Sequence, residues 1–262
     1  MPNLAIFLIF DIFNILTLLL KFIKATDKKV LSKVLSKKNY LKRVFMKNPL
    51  DRSISHHAKR YFQADKIQPP RDFQPLPADF WQNNNLGLEI GAGKGKHALQ
   101  FANQNPDFHL VAIERTKQKF GVMQKAAKLA NLANLHVVHA DAIAWVVHAV
   151  PKNSLSKIFI LYPNPEPHNP NQRWLNMPFF EFLLSRLKVG GELILATNIE
   201  DYANQSFDAA LNIWQLPVQK TVVPKDSQRT HFEIKYLARG ERCWQLAMVK
   251  PKKYVTRFDK NF

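Results

Sequence analysis

Short apolar runs recur through the middle of the chain, at 86–90, 108–113, 135–139, 157–161 and 192–196. Runs of this length with so few polar breaks predict strands buried on both faces. Between them the apolar residues return every three or four positions. That spacing predicts helices over 96–102, 116–131, 142–149, 179–187 and about 200–214. In the second of these, Phe120, Met123, Ala127 and Ala130 share one face; the fourth is expected to close at Gly190-Gly191. Strands that alternate with helices require parallel pairing through right-handed crossovers, so the expected fold is α/β with a doubly wound, mostly parallel sheet. Two later apolar pieces, 221–223 and 243–249, are expected to add a closing hairpin.

The first strand runs into the segment LGLEIGAGKGKH, residues 86–97, where Gly91, Gly93 and Gly95 fall at alternate positions before a helix start. Glycines at a strand-to-helix turn let the backbone bend sharply and a ligand come close, while the first amides of the helix face the bound group. The spacing excludes a phosphate-binding P-loop, because Ile90 stands where its first glycine belongs and His97 where its hydroxyl belongs. A dinucleotide G-x-G-x-x-G is not matched either, since the third glycine comes one residue early. The segment resembles the E-x-G-x-G-x-G turn of class I S-adenosyl-L-methionine-dependent methyltransferases, which have a Rossmann-like fold, with Glu89 as its acid.

Ligands of open parallel sheets lie beyond the carboxyl ends of the strands. Three acids occupy such positions. Glu114 is placed to accept from ribose hydroxyls, Asp141 to hold an adenine amino group, and Glu89 to orient the methionine end. An acid after a strand is also a common helix cap, so each has a purely structural alternative.

Charge divides the chain into three parts. Residues 1–60 carry 13 Lys/Arg against 3 acids and residues 217–262 carry 11 against 4, whereas 61–216 balance 14 against 13. Two basic arms around a neutral domain, within a total of +18, point to a polyanionic partner such as nucleic acid. The single cysteine, Cys243, excludes an internal disulfide, and the nine histidines show no H-E-x-x-H spacing, so no metal is expected. Residues 4–23 are apolar for long enough to span a bilayer, but Asp11, Asn14 and Lys21 interrupt them. A membrane anchor, an amphipathic surface segment and sequence upstream of the natural start are all open readings. The polar stretch from Met46 favours the last. Residues 1–50 are therefore read as an extension and 51–262 as the catalytic domain, cytoplasmic, a monomer or homodimer.

After the fourth strand comes YPNPEPHNPNQRW, residues 162–174, whose four prolines exclude both helix and central strand. This loop resembles the F-P-D-P-W-P-K segment of bacterial tRNA (guanine-N7-)-methyltransferases, the TrmB family. LEIGAGKG, IER at 113–115, LKVGGELILATN at 187–198 and THFEIKYLARG at 230–240 agree with that family as well. The resemblance covers roughly 53–249. It implies S-adenosyl-L-methionine as cofactor and tRNA as partner, with methyl transfer to N7 of guanine. It places Glu89, Gly91, Gly93, Gly95, Glu114, Asp141 and Asn164 at the cofactor, Asn164 as catalytic residue, and His168, Asn198, Thr230 and Glu233 at the base.

The chain departs from the family pattern at four positions. The loop aspartate falls on Asn164, the tryptophan on Glu166 and the lysine on His168, and the aspartate after the fifth strand falls on Asn198. An amide still accepts a hydrogen bond but takes no proton. An altered affinity or target is the expectation, and a same-fold enzyme for another RNA, DNA or protein, or a non-catalytic RNA-binding homologue, stays open. The loop also resembles the Asn-Pro-Pro-aromatic motif of amino-group methyltransferases, against which Glu166 argues. Thr230 and Glu233 have the spacing of a capping box, so they are expected to start a helix as well.

Overall fold

A computed structural model describes residues 60–259. The expectations for the apolar segment 4–23 and the lysine-rich stretch after it lie outside these residues. The elements follow in the order β1 (Leu86–Ile90), α1 (Lys96–Gln104), β2 (His109–Glu114), α2 (Lys117–Ala130), β3 (Leu135–His139), α3 (Ala142–Ala149), β4 (Leu155–Leu161), α4 (Phe179–Arg186), β5 (Leu187–Thr197), α5 (Glu200–Asp208), β6 (Val218–Val222), α6 (His231–Ala238) and β7 (Trp244–Val249). Short 3-10 turns at Ala64–Lys66, Ala78–Gln82, Pro170–Gln172 and Trp174–Asn176 punctuate the connections.

The seven strands form one sheet in the order β3-β2-β1-β4-β5-β7-β6. The first five pair in parallel, and β7 joins β5 and β6 antiparallel. The order reverses between β1 and β4, which opens a crevice at their carboxyl ends. Side chains alternate across the sheet. Leu88, Ile90, Val111, Ile113, Ile158, Ile160, Leu193 and Leu195 pack to one side with Trp145, Phe180, Tyr202 and Trp214. Leu110, Ala112, Phe159, Leu161 and Ala196 pack to the other with Ala98, Ala102 and Met123. Burial on both faces is why these strands read as continuous apolar runs and not as alternating ones.

Three elements differ from the sequence reading. Gly190 and Gly191 do not close α4, which ends at Arg186; they lie inside the longer β5, between Leu187, which pairs with Leu155 of β4, and Glu192, which pairs with Lys157, where the register shifts. Gly190 takes φ +78°, and its N–H donates to the Lys250 carbonyl, so these glycines serve an irregular strand. The helix expected over 200–214 leaves α geometry at Ala209 and finishes as a π-turn to Ile213. That wider turn accompanies a fully buried Trp214 whose Nε1 donates to the Leu175 carbonyl at 2.8 Å. The last two strands are antiparallel neighbours, but α6 intervenes, so they are not joined by a tight turn.

Candidate cofactor and base-binding site

Gly91, Gly93 and Gly95 all adopt left-handed backbone, at φ +74°, +62° and +83°. Their surroundings separate two uses of that freedom. A Cβ on Gly95 would lie 2.6 Å from Met123 Cγ, so this glycine lets α1 pack against α2. A Cβ on Gly91 or Gly93 would meet nothing within 4 Å, so the space over the turn is open to a ligand.

Two of the strand-end acids brace this turn. Glu114 is buried; its Oε2 accepts from the Gly93 N–H at 2.9 Å and its Oε1 from the Thr116 N–H at 2.7 Å. Each oxygen keeps lone-pair capacity for a hydroxyl. Glu89 is buried on β1, and its Oε2 lies 2.9 Å from Nδ1 of His97 in the first turn of α1. His97 is held between Phe101 and Phe159 rings, so strand, turn and helix are locked together by one polar contact inside an aromatic cage. The third acid realises its structural alternative: Asp141 Oδ1 caps α3, accepting from Ile143 N–H at 3.0 Å and Ala144 N–H at 3.1 Å. Its exposed carboxylate still borders the same edge of the sheet.

The proline loop leaves β4 through Tyr162, at φ +52°, and is fastened at both ends. At the near end the Tyr162 hydroxyl donates to Glu233 Oε2 at 2.6 Å. Glu233 is fully buried, and its carboxylate also accepts from Arg229 Nη2 at 2.8 Å, from the Arg229 N–H and from the Ser227 hydroxyl. Burial alone would raise the Glu233 carboxyl, but the hydrogen bonds from Arg229, Ser227 and Tyr162, with the charge of Arg229, override it and hold the group below its ordinary range. At the far end buried Arg173 donates to the Pro165 carbonyl at 2.9 Å, Gln205 Oε1 at 2.7 Å and Asp201 Oδ2 at 3.0 Å.

On the loop itself Asn164 Nδ2 donates to Glu166 Oε1 at 2.7 Å, and after β5 Asn198 Nδ2 donates to Glu241 Oε2 at 2.7 Å. A carboxylate neighbour fixes the orientation of each amide, because it accepts only from the NH2 side. Both carbonyl oxygens are left as the available acceptors. His168 is exposed on the loop. Thr230 caps α6, its Oγ1 accepting from the Glu233 N–H at 2.9 Å, so half of the capping box forms. The Glu233 side chain goes to the buried cluster, and its carboxylate offers protein-facing acceptors in place of a base-facing edge.

Sequence reasoning did not find His97, Arg173 or the Tyr162 hydroxyl, and Arg229, expected among the phosphate-contacting basic residues of 217–262, instead gives its guanidinium to Glu233 and Gln245. The only signal for any of them was that Tyr162 stands where the family loop has phenylalanine. Among the described residues no group of three or more His, Cys, Asp or Glu could hold a metal ion, and no helix is long and apolar enough to cross a membrane.

Residues 83–246 match the family described as "Putative methyltransferase". The tRNA (guanine-N(7)-)-methyltransferase of Shewanella sp. (strain W3-18-1) is 31% identical over 186 residues, 67% of this chain and 78% of that protein. The enzyme of the same name from Shigella dysenteriae is 27% identical over 210 residues, 78% of this chain and 88% of that protein. Among solved structures, a 16S rRNA methyltransferase aligns with TM-score 0.52 and 16% identity, covering 68% of this chain and 96% of that one. The 16S rRNA (adenine(1408)-N(1))-methyltransferase of Catenulisporales acidiphilia, also at 0.52 and 16%, covers 69% and 94%. The two structural likenesses speak for the fold. With the family match spanning the glycine turn, the proline loop and the start of β7, the chain belongs to the tRNA (guanine-N7-)-methyltransferase family of class I methyltransferases.

Proposed function

We propose that residues 51–262 transfer a methyl group from S-adenosyl-L-methionine to N7 of guanine in tRNA. The observation that carries this reading is the convergence, at the carboxyl ends of β1, β2, β4 and β5, of an open glycine turn braced by buried acids with a stapled loop presenting an amide carbonyl. When bound, S-adenosyl-L-methionine supplies an electrophilic sulfonium methyl that the N7 lone pair accepts in an in-line displacement. This chain's task is therefore to position its ligands, because N7 carries no proton to remove. Gly91 and Gly93 leave room for the cofactor over the turn, Glu114 offers its remaining lone pairs to the ribose, and Glu89 with His97 keeps the turn in place. Asp141 serves the adenine end while capping α3.

The base is read by acceptors. Guanine presents N–H donors on its Watson–Crick edge, opposite N7, and the Asn164 and Asn198 carbonyls suit them. Two asparagines in place of two aspartates thus keep the acceptor role and drop the charge. His168 and Thr230 line the approach to the base, and Glu233 acts through Tyr162 as a positioning residue. The basic residues of 217–262, including Lys235, Arg239 and Arg242, support RNA binding through phosphate contacts, while the Arg229 guanidinium is taken up by Glu233 and Gln245. A tRNA substrate and a single cysteine, Cys243, favour the cytoplasm.

Labelled methyl transfer to unmodified tRNA, followed by nucleoside analysis, tests the reading. Label in 7-methylguanosine is the expected result. Label in another nucleoside, or none at all with intact tRNA binding, overturns it.

A further inference from the structure

Phe232 is 44% exposed at the start of α6, next to a residue that is fully buried, Glu233. Its ring stacks on Tyr236 one turn later, with centroids 6.0 Å apart and planes at 18°. Tyr236 in turn meets Tyr162, the first loop residue, at 5.8 Å. The rings form a ladder from solvent to the root of the proline loop. From the other side Lys119, on the first turn of α2 just past Glu114, places its Nζ 6.0 Å from the Phe232 centroid. Phe232 therefore stands between the helix that follows the ribose-facing acid and the loop that presents Asn164.

Isolated exposed apolar residues are ordinary, and aliphatic Leu129 and Val122 on α2 are such cases. Phe232 differs in kind. It is aromatic, its ring is pre-oriented by Tyr236, and the Lys119 ammonium lies over it, with exposed His231 and Lys235 nearby in the chain. The loop itself supplies no Phe, Tyr or Trp between Pro163 and Arg173. An unpaired nucleobase is recognised by stacking on an aromatic face with a cation near its phosphate. Resting on the tRNA reading above, we propose that Phe232 is a base-stacking subsite for an unpaired nucleotide of the substrate RNA, the base taking the place of the Lys119 ammonium over the ring and the flexible lysine turning to the adjoining phosphate.

The test uses the full chain and an unmodified tRNA transcript. Binding by fluorescence anisotropy and 7-methylguanosine formation are measured for wild type, Phe232→Ala, Phe232→Leu and Phe232→Tyr, with Leu129→Ala as the control for loss of an exposed apolar side chain. Phe232→Ala and Phe232→Leu are expected to weaken tRNA binding about tenfold or more, the loss of one stacked base. Phe232→Tyr and Leu129→Ala are expected to stay near wild type. S-adenosylhomocysteine affinity and melting temperature should be unchanged throughout, since the side chain is outside the core. Leucine retains apolar contact without a π face, so a leucine variant that binds like wild type overturns the proposal. If wild type makes 7-methylguanosine and the alanine variant binds equally well, the stacking inference falls alone. If wild type binds tRNA in a Phe232-dependent way without making 7-methylguanosine, the methylation reading falls alone. A wild type that binds no tRNA overturns both.

Discussion

The Tyr162 hydroxyl and the Glu233 carboxylate, 2.6 Å apart, tie the first residue of the proline loop to a fully buried acid on α6. Burial and this bond together push the phenol well above its ordinary range, so it stays a donor at any physiological pH. The left-handed backbone of Tyr162 costs roughly 1–2 kcal/mol, and a hydrogen bond to a charged group contributes about 1.5–3 kcal/mol. The bond is strong enough to keep the residue in that conformation.

Removing the hydroxyl should therefore loosen the loop more than the fold. Tyr162→Phe is expected to lower stability by about 1–2 kcal/mol and to reduce kcat while leaving cofactor affinity near wild type. Thermal melts and single-turnover methylation measure the two separately. A variant with full kcat would show that the loop is held by Arg173 alone.

The same cluster sets an acid limit. Glu233 has its folded-state pKa below the unfolded value of about 4.5, so its stabilisation is present above that pH and is lost as the pH falls through the folded value. Melting temperature should drop between pH 5 and the acid limit of the fold, and Glu233→Gln should flatten this part of the curve while lowering stability at pH 7. Parallel curves for the two proteins would assign the acid loss elsewhere.

The glycines of the turn should separate by substitution. Gly95→Ala combines left-handed strain with a clash against Met123, for about 2–4 kcal/mol of lost stability. Gly93→Ala meets no neighbour and should cost only the strain of about 1–2 kcal/mol. Its methyl would enter the open space over the turn, so S-adenosyl-L-methionine affinity should fall by an order of magnitude or more, read by isothermal titration.

Asn164 and Glu166 should behave as a coupled pair. Asn164→Asp alone restores the family's acid but sets two carboxylates where the amide now donates across 2.7 Å, so methylation should decline. Adding Glu166→Gln removes the repulsion and should recover activity beyond the product of the single effects. Additive effects in kcat/KM would show that Asn164 is read by the substrate without its neighbour.

The inner parallel strands were legible in the chain because strands buried on both faces leave nearly unbroken apolar runs, the partly buried edge strand β3 because Leu135, Val137 and Val138 still mark it, and the glycine turn because alternate glycines after such a run have few other uses. The acids at 89, 114 and 141 were legible as strand-end residues for the same reason. Their partners were not. His97 and Gly93 meet Glu89 and Glu114 only because the turn folds back on the strand ends, whereas the Asp141 cap, made to the two amides that follow it, is local and was open to the sequence as an alternative. Motif resemblance grouped Thr230 with Glu233, yet the helix they begin turns one to the cap and the other into the core. Local pattern determines which segments are strands and turns, since periodicity is a property of the chain itself. Which carboxylate is spent inside the protein and which carbonyl or ring is left facing a ligand was decided by packing between segments some 70 residues apart, as for Tyr162 and Glu233, whose separation is 71. No local pattern records such a contact.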